Sequence, residues 1–109
     1  MELLTPELLA EFEKQGNTGN KRAENIKVIT KFFMPDGAGK WFITDWLPED
    51  DVFFGYCSLG NPDFAELGYV SKTELESLRG HLGMPVERDL HWDSNTTLRE
   101  VMDKKGVGL

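Results

Sequence analysis

Between residues 26 and 70, apolar and polar side chains repeatedly alternate with a period of two. That period places successive side chains on opposite faces of an extended strand. Short stretches rich in Pro, Gly and Asp interrupt the alternation and have the composition of turns. The predicted strands are 26–33, 40–47, 52–59 and 64–70. Because such short connections cannot hold the crossovers that parallel strands need, the sequence predicts an antiparallel meander of three to four strands.

Helix-capping residues stand on both sides of this region. Thr5 is a suitable N-cap with proline next in the chain, and Gly16 ends the helix that follows. Ser71 and Glu74 match a capping box at the start of a second helix. A short third helix is predicted over 97–103, where apolar residues recur at helical spacing.

Size and apolar content fit one small domain. The chain has 109 residues, 39% of them apolar, which is enough for a single core. A sheet this small needs cover, so the helices at 6–15 and 72–79 are expected to pack on one face of it. The segment 16–22 has no apolar anchor and is expected to be a flexible loop, and the tail 104–109 is expected to fray. The predicted fold is a single α+β domain over residues 1–109.

Charge and cysteine content narrow the function classes. The net charge is −7, from 19 acidic and 12 basic residues, and no cluster of bases is present to follow a phosphate backbone. Direct nucleic-acid binding is therefore not expected. The single cysteine, Cys57, cannot form a disulfide within the chain, which favours a reducing compartment. With no signal-peptide pattern and no apolar stretch long enough to span a bilayer, we expect a cytoplasmic protein without membrane contacts.

The densest group of ionisable side chains lies in the segment 79–91. The candidate binding residues there are Arg79, His81, Glu87, Arg88, Asp89 and His91. Histidine exchanges protons near neutral pH, and arginine can hold a carboxylate or phosphate with two hydrogen bonds. If these groups converge, they form an anion-binding or hydrolytic pocket. The alternative, which the sequence favours, is a set of structural ion pairs that pins an irregular segment to the sheet.

Metal binding and covalent catalysis have weaker support. Asp89 and His91 stand two residues apart and share a face if the segment is extended. A zinc site needs three or four ligands, however, so no metal is predicted. Cys57 lies in an aromatic-rich strand, where a buried and unreactive thiol is the common outcome. No cofactor is predicted.

Aromatic residues are concentrated in the predicted sheet, with Trp41, Trp46 and Phe54 among them. Such residues stack on bases in single-strand binders, but acidic side chains such as Asp45 and Glu49 stand beside them here. Core packing explains most of them. Two helices cannot cover aromatics on both faces of a sheet, so we predict that part of this set forms an exposed protein interface.

Six stretches of the sequence, taken in order, resemble a bacterial domain-of-unknown-function family of about this length. The stretches are 3–9, 31–36, 53–55, 66–69, 74–80 and 82–90. The resemblance spans nearly the whole chain, and its most specific part runs from Arg79 to Leu90. The family is found largely on plasmids, phages and integrated mobile elements, so the resemblance implies a bacterial, mobile-element context in which accessory proteins often act on host defence or DNA transfer. It implies no catalytic residue, because the family carries no established activity.

These observations favour a small non-enzymatic accessory protein that binds another protein through its aromatic sheet or its acidic surface. One version of this hypothesis is imitation of DNA, for which a charge of −7 is modest. The alternative is a small enzyme or anion-binding protein that uses the ionisable residues of segment 79–91.

Overall fold

The computed structural model describes residues 2–109 and has an α+β fold. Its helices are α1 (Pro6–Gln15), α2 (Lys72–Ser77) and α3 (Leu98–Asp103). Its strands are β1 (Thr30–Phe33), β2 (Lys40–Leu47), β3 (Val52–Ser58), β4 (Glu66–Ser71) and β5 (Glu87–Arg88). The strands form one antiparallel sheet in the order β4-β3-β2-β1-β5.

The predicted caps position the helices. Thr5 Oγ1 accepts a hydrogen bond from the Leu8 N–H at 3.2 Å, and the Gly16 N–H donates to the Phe12 carbonyl oxygen at the other end of α1. Ser71 Oγ accepts from the Glu74 N–H at 3.1 Å and begins α2. These side chains satisfy N–H groups that have no partner within the helix.

The sheet has five strands, one more than the upper limit of the predicted three to four. The first four form the predicted antiparallel meander, because short turns join each strand to the next. The additional strand, β5, pairs with β1, with Phe32 opposite Arg88 and Phe33 opposite Glu87. Two residues are too few to show a period of two, and the partner strand lies far earlier in the chain. Local pattern therefore could not reveal β5.

Both faces of the sheet are covered, which corrects the expectation of helices on one face. Helices α1 and α2 cover the first face, and α3 covers the second. Both faces need cover because apolar residues occupy odd-numbered as well as even-numbered strand positions. The buried residues of the first face are Leu3, Phe12, Ile29, Phe32, Trp41, Ile43, Phe53, Leu75 and Val86. Those of the second face are Ile26, Val28, Phe42, Tyr56, Leu98 and Val101.

The C-terminal residues lie against the second face. The Gly106 N–H donates to the Val101 carbonyl oxygen at 2.9 Å and caps the C-terminal end of α3. A Cβ at position 106 would lie 2.8 Å from the Phe42 ring, and its φ of 72° is in the left-handed region. Lys31 Nζ donates to the Leu109 carbonyl oxygen at 2.7 Å. The tail that was expected to fray thus has specific contacts.

A β-bulge in β2 changes which residues face α1. The pairing with β3 shifts between Ile43 and Asp45, so Thr44 is an extra residue without a partner of its own. As a result, Trp46 packs on the same side as Trp41 and Ile43, whereas strict alternation would place it on the opposite face. The bulge also brings Asp45 to the end of α1.

Candidate functional site

The two ionisable residues that begin segment 79–91, Arg79 and His81, share no hydrogen-bond partner within residues 2–109. Arg79 follows α2, and its Nη1 donates to the carbonyl oxygens of Glu76 and Leu78 at 3.0 and 2.9 Å. It therefore binds carbonyl oxygens at the C-terminal end of the preceding helix, a common role for a basic residue near a helix end. His81 is exposed in the turn that follows.

The pleat of β5 separates the next group. Glu87 and Arg88 are neighbours in a strand, so their side chains point to opposite faces of the sheet. Arg88 Nη1 donates to the Glu2 carbonyl oxygen beside the first face. Asp89 Oδ2 lies 3.7 Å from Lys31 Nζ, and its Oδ1 accepts from the backbone N–H of exposed His91 at 2.9 Å. Arg79, Arg88 and Asp89 thus bind different groups, and no residue of segment 79–91 lines either cavity described below.

Lys31 connects this segment to the tail. Its side chain is buried, and its Nζ meets both the Asp89 carboxylate and the Leu109 carbonyl oxygen. Desolvation lowers the pKa of Lys31 below its ordinary value of 10.5, and the charge of Lys40 lowers it further, while Asp89 opposes both. The contact explains Asp89 as a structural partner.

Asp36 holds the turn 80–84, a role that the sequence analysis missed. It is only 9% exposed, and its Oδ2 accepts from the N–H groups of Leu82 and Met84 at 2.8 and 3.2 Å. A Cβ at position 80 would lie 1.6 Å from Asp36 Oδ1, so Gly80 permits this close approach. The sequence marks Asp36 only as a turn residue, because its partners lie far along the chain.

The pKa of Asp36 reflects this contact. Desolvation raises the pKa, but the hydrogen bonds from Leu82 and Met84, together with the nearby charge of His81, outweigh it. The pKa of Asp36 therefore lies below its ordinary value of 3.8. The carboxylate is the form that holds the turn. We call the segment 79–91, which includes β5, together with its partners Lys31 and Asp36, the closed edge.

A groove of about 510 Å³ lies at the opposite end of the sheet, between the end of α1 and the ends of β2, β3 and β4. Its volume is in the range of ligand pockets. The aromatic residues that line it are Phe12, Trp46, Phe54 and Tyr69. The charged residues that line it are Glu13, Asp45 and Glu49.

The polar wall of the groove is built on Asp45. Its Oδ1 accepts from the hydroxyls of Thr18 and Thr44, both at 2.6 Å, and its Oδ2 accepts from the Thr18 N–H at 3.1 Å. Thr18 is buried, so the expected flexible loop has a polar anchor in place of an apolar one. Gln15 adds a second anchor, because its Nε2 donates to the carbonyl oxygens of Lys27 and Thr44.

The aromatic wall is partly exposed. Phe54 and Tyr69 lie on paired strands with ring centroids 4.9 Å apart, and Tyr69 is 67% exposed. Trp46 is half-buried and packs on Phe53 with its centroid 4.8 Å away. Of the three predicted interface residues, Trp46 and Phe54 line the groove, whereas Trp41 lies in the core and is 4% exposed. Tyr69 was missed, although its place opposite Phe54 follows from pairing the predicted strands.

A second cavity of about 320 Å³ lies beside Cys57 and Glu66. Desolvation, with a smaller contribution from the charge of Glu66, raises the pKa of Cys57 to about 11. A thiol in this state is a poor nucleophile near neutral pH. Across residues 2–109, no group of three or more His, Cys, Asp and Glu side chains is placed to hold a metal ion. No helix in the same range is long and apolar enough to cross a bilayer.

One family model matches the chain. It is described as "Protein of unknown function (DUF2958)" and covers residues 3–105. The resemblance to a domain-of-unknown-function family of about this length is thereby confirmed. No curated protein and no solved structure matches the chain. The family description assigns no role to any residue of the groove.

Proposed function

The chain belongs to the DUF2958 family of proteins of unknown function, and we propose that it acts as a small protein-binding module. The observation that carries this proposal is the exposed Tyr69 ring, which stands against Phe54 at the mouth of the groove. Exposed aromatic residues beside a concave surface are typical of protein interfaces, where tyrosine often contributes much of the binding energy.

The position of β4 supports the same surface. β4 is the last strand on its side of the sheet, so every second backbone N–H and C=O of Glu66–Ser71 faces away from β3. An extended partner segment can pair with such a strand. We call β4 together with the groove the open edge.

The biological context is also a proposal. The sequence resembles a family carried on plasmids, phages and integrated elements, which supports an accessory role in which the module binds a host protein in the cytoplasm. The anion-binding alternative requires the ionisable residues of segment 79–91 to converge. Their separate partners give that alternative less support than the groove gives to protein binding.

A pull-down with the tagged full chain tests the proposal. The lysate is treated with nuclease, and wild type is compared with Tyr69→Ala and with Leu82→Ala, an exposed apolar control on the closed edge. We expect a stoichiometric partner that wild type and Leu82→Ala retain and that Tyr69→Ala loses. Retention of the partner by Tyr69→Ala would place the interface elsewhere. The absence of any partner, or loss of the partner after nuclease treatment, would contradict direct protein binding.

A further inference from the structure

The groove carries negative charge that the protein does not neutralise itself. Its charged lining residues are all acidic, namely Glu13, Asp45 and Glu49. None of the three forms an ion pair with any residue in 2–109. The closed edge differs, because Asp89 there has Lys31 as its partner. Unpaired carboxylates around a partly apolar groove favour a positively charged occupant.

Asp45 is held in position to accept one more hydrogen bond. A carboxylate has about four acceptor positions on its two oxygens. Thr18 and Thr44 occupy three of them, two on Oδ1 and one on Oδ2, and all three donors are neutral. The charge of Asp45 is therefore fixed in space by groups that leave it uncompensated. One position on Oδ2 remains for a charged donor.

The aromatic wall is suited to the same kind of group. Phe54 lies directly opposite Asp45 across β2 and β3, and Tyr69 lies directly opposite Phe54 across β3 and β4, so these three groove residues share one face of the sheet. Aromatic faces attract cations, and the planar guanidinium of arginine both stacks on a ring and pairs with a carboxylate. Lysine has a compact ammonium and meets only part of this pattern.

We infer that the groove of this protein-binding module receives an arginine side chain from an extended segment of the partner protein. The inference rests on the proposed function and names the chemistry of the partner. The guanidinium lies between the Asp45 carboxylate and the aromatic wall. The backbone of the segment runs along β4, whose outward N–H and C=O groups are available for pairing.

A titration of the full-length protein, followed by amide NMR, tests the inference. The probe is N-acetyl-arginine methylamide, and its matched control is the citrulline compound, which has the same shape without the charge. We expect saturable shifts at Thr18, Asp45 and Tyr69 with arginine, weaker shifts with the lysine compound, and none with citrulline. Equal shifts with citrulline, or no saturable shift at these residues, would overturn the inference.

Two variants test whether the carboxylates of Asp45 and Glu49 attract the arginine side chain. Asp45→Asn is expected to weaken arginine binding about tenfold, because a charge-assisted hydrogen bond is lost. Since the Asp45 carboxylate also anchors Thr18, Glu49→Gln provides a second test at an exposed position. It is expected to weaken binding by a smaller factor with an unchanged spectrum elsewhere. Unaltered arginine affinity in both variants would contradict a role for the acidic residues.

A free polyamine distinguishes the source of the cation. Spermidine presents several ammonium groups without a backbone that can pair with β4. If spermidine binds more tightly than an arginine-containing extended peptide, the assignment to a protein segment is wrong. A partner whose capture depends on Tyr69, combined with no arginine binding, would remove this inference and leave the proposed function intact. Failure of both experiments would remove both.

Discussion

The two edges of the sheet are finished in different ways. At the closed edge, β5 has two residues, and Lys31 and Asp36 hold the chain around it. At the open edge, β4 has six residues and exposes the side chains of Leu67 and Tyr69. Native sheets normally shield an edge with a short strand, charge or covering segment. One edge of this protein has that protection, and the unprotected one adjoins the groove.

Charge follows the same division. Asp36 and Asp89 at the closed edge each have a partner within the fold, either backbone N–H groups or a lysine. At the open edge, Asp45 meets only neutral donors. A dense run of ionisable residues in a sequence can therefore include groups, such as Asp89, that hold the fold together. The functional candidates are the fewer carboxylates that line the groove, for which the fold supplies no compensating positive charge.

The largest expected effect comes from removing the core that both edges share. Phe53 is fully buried and contacts the rings of Phe12, Phe32 and Trp46. Phe53→Ala is expected to lower the free energy of unfolding by about 3–5 kcal/mol, measured by urea denaturation. Its control is Phe64→Ala, since Phe64 is 80% exposed, and the expected change there is within about 0.5 kcal/mol. Similar losses in the two variants would contradict the described core.

A smaller loss of stability is expected at the closed edge from Asp36→Asn. The folded pKa of Asp36 lies below the ordinary 3.8, so its contribution is present above pH 3.8 and is lost as the pH falls through the folded value. The variant should therefore be less stable than wild type at pH 7, with the difference shrinking below pH 4. Thermal unfolding at several pH values measures it.

The control for this pH series is Asp50→Asn, an exposed carboxylate in the turn before β3. Because this site is exposed, the free energy of unfolding of the variant at pH 7 is expected to stay within about 0.5 kcal/mol of wild type. Asp51 and Asp63 also have lowered pKa values. Wild type and Asp36→Asn therefore both lose some further stability in acid through these groups. A difference between Asp36→Asn and wild type that stays constant from pH 7 to pH 3 would show that Asp36 is not held as a carboxylate.

How far the sequence predicted these regions depends on the distance between partners. The four meander strands and the caps at Thr5 and Ser71 follow from neighbouring residues, and they were predicted. β5 and the contact from Asp36 to Leu82 join residues far apart in the chain, and local pattern carries no signal for them. The cover on the second face was missed for a similar reason, because periodicity shows which strand faces are apolar but not which helix covers each.

The groove could be predicted only in part. Trp46 and Phe54 were named as interface residues from composition, and both line it. Its polar wall depends on the bulge at Thr44, which turns Asp45 toward Thr18. A bulge inserts a single residue into an otherwise regular pattern, so alternation of side chains alone does not locate it.

A matched pair of tyrosines sharpens the comparison at the open edge. Tyr69→Ala is expected to lower the free energy of unfolding by less than about 1 kcal/mol, because the exposed ring contributes mainly its contact with Phe54. Tyr56→Ala removes a buried ring of the second face and is expected to lower it by about 3–5 kcal/mol. Urea denaturation measures both. A large loss in Tyr69→Ala would mean that the ring serves the fold more than a partner.

A further prediction concerns the rate at which the thiol of Cys57 is alkylated. Cys57 lies opposite Glu66 of β4, so its reactivity reports on the pairing of β3 with β4. A rise in the pKa of its thiol from 9.0 to about 11 makes the reactive thiolate about 100-fold scarcer near pH 8. Alkylation by iodoacetamide, followed by mass spectrometry, should therefore be about 100-fold slower in the folded protein than in urea. Comparable rates in both conditions would show that β4 separates readily from β3.

The strand order also governs the sequence of folding events. Strands β1 to β4 are neighbours both along the chain and in the sheet, so each pairing closes a short loop at a small entropic penalty. β5 pairs with β1 from the far side of the meander in the chain, and the turn before β5 is bound by Asp36 from the connection between β1 and β2. We expect pulse-labelled hydrogen exchange during refolding to show protection of β2 and β3 amides before those of Leu82 and Met84. In that order of folding, the edge that the finished fold shields from pairing with another strand is the last to form.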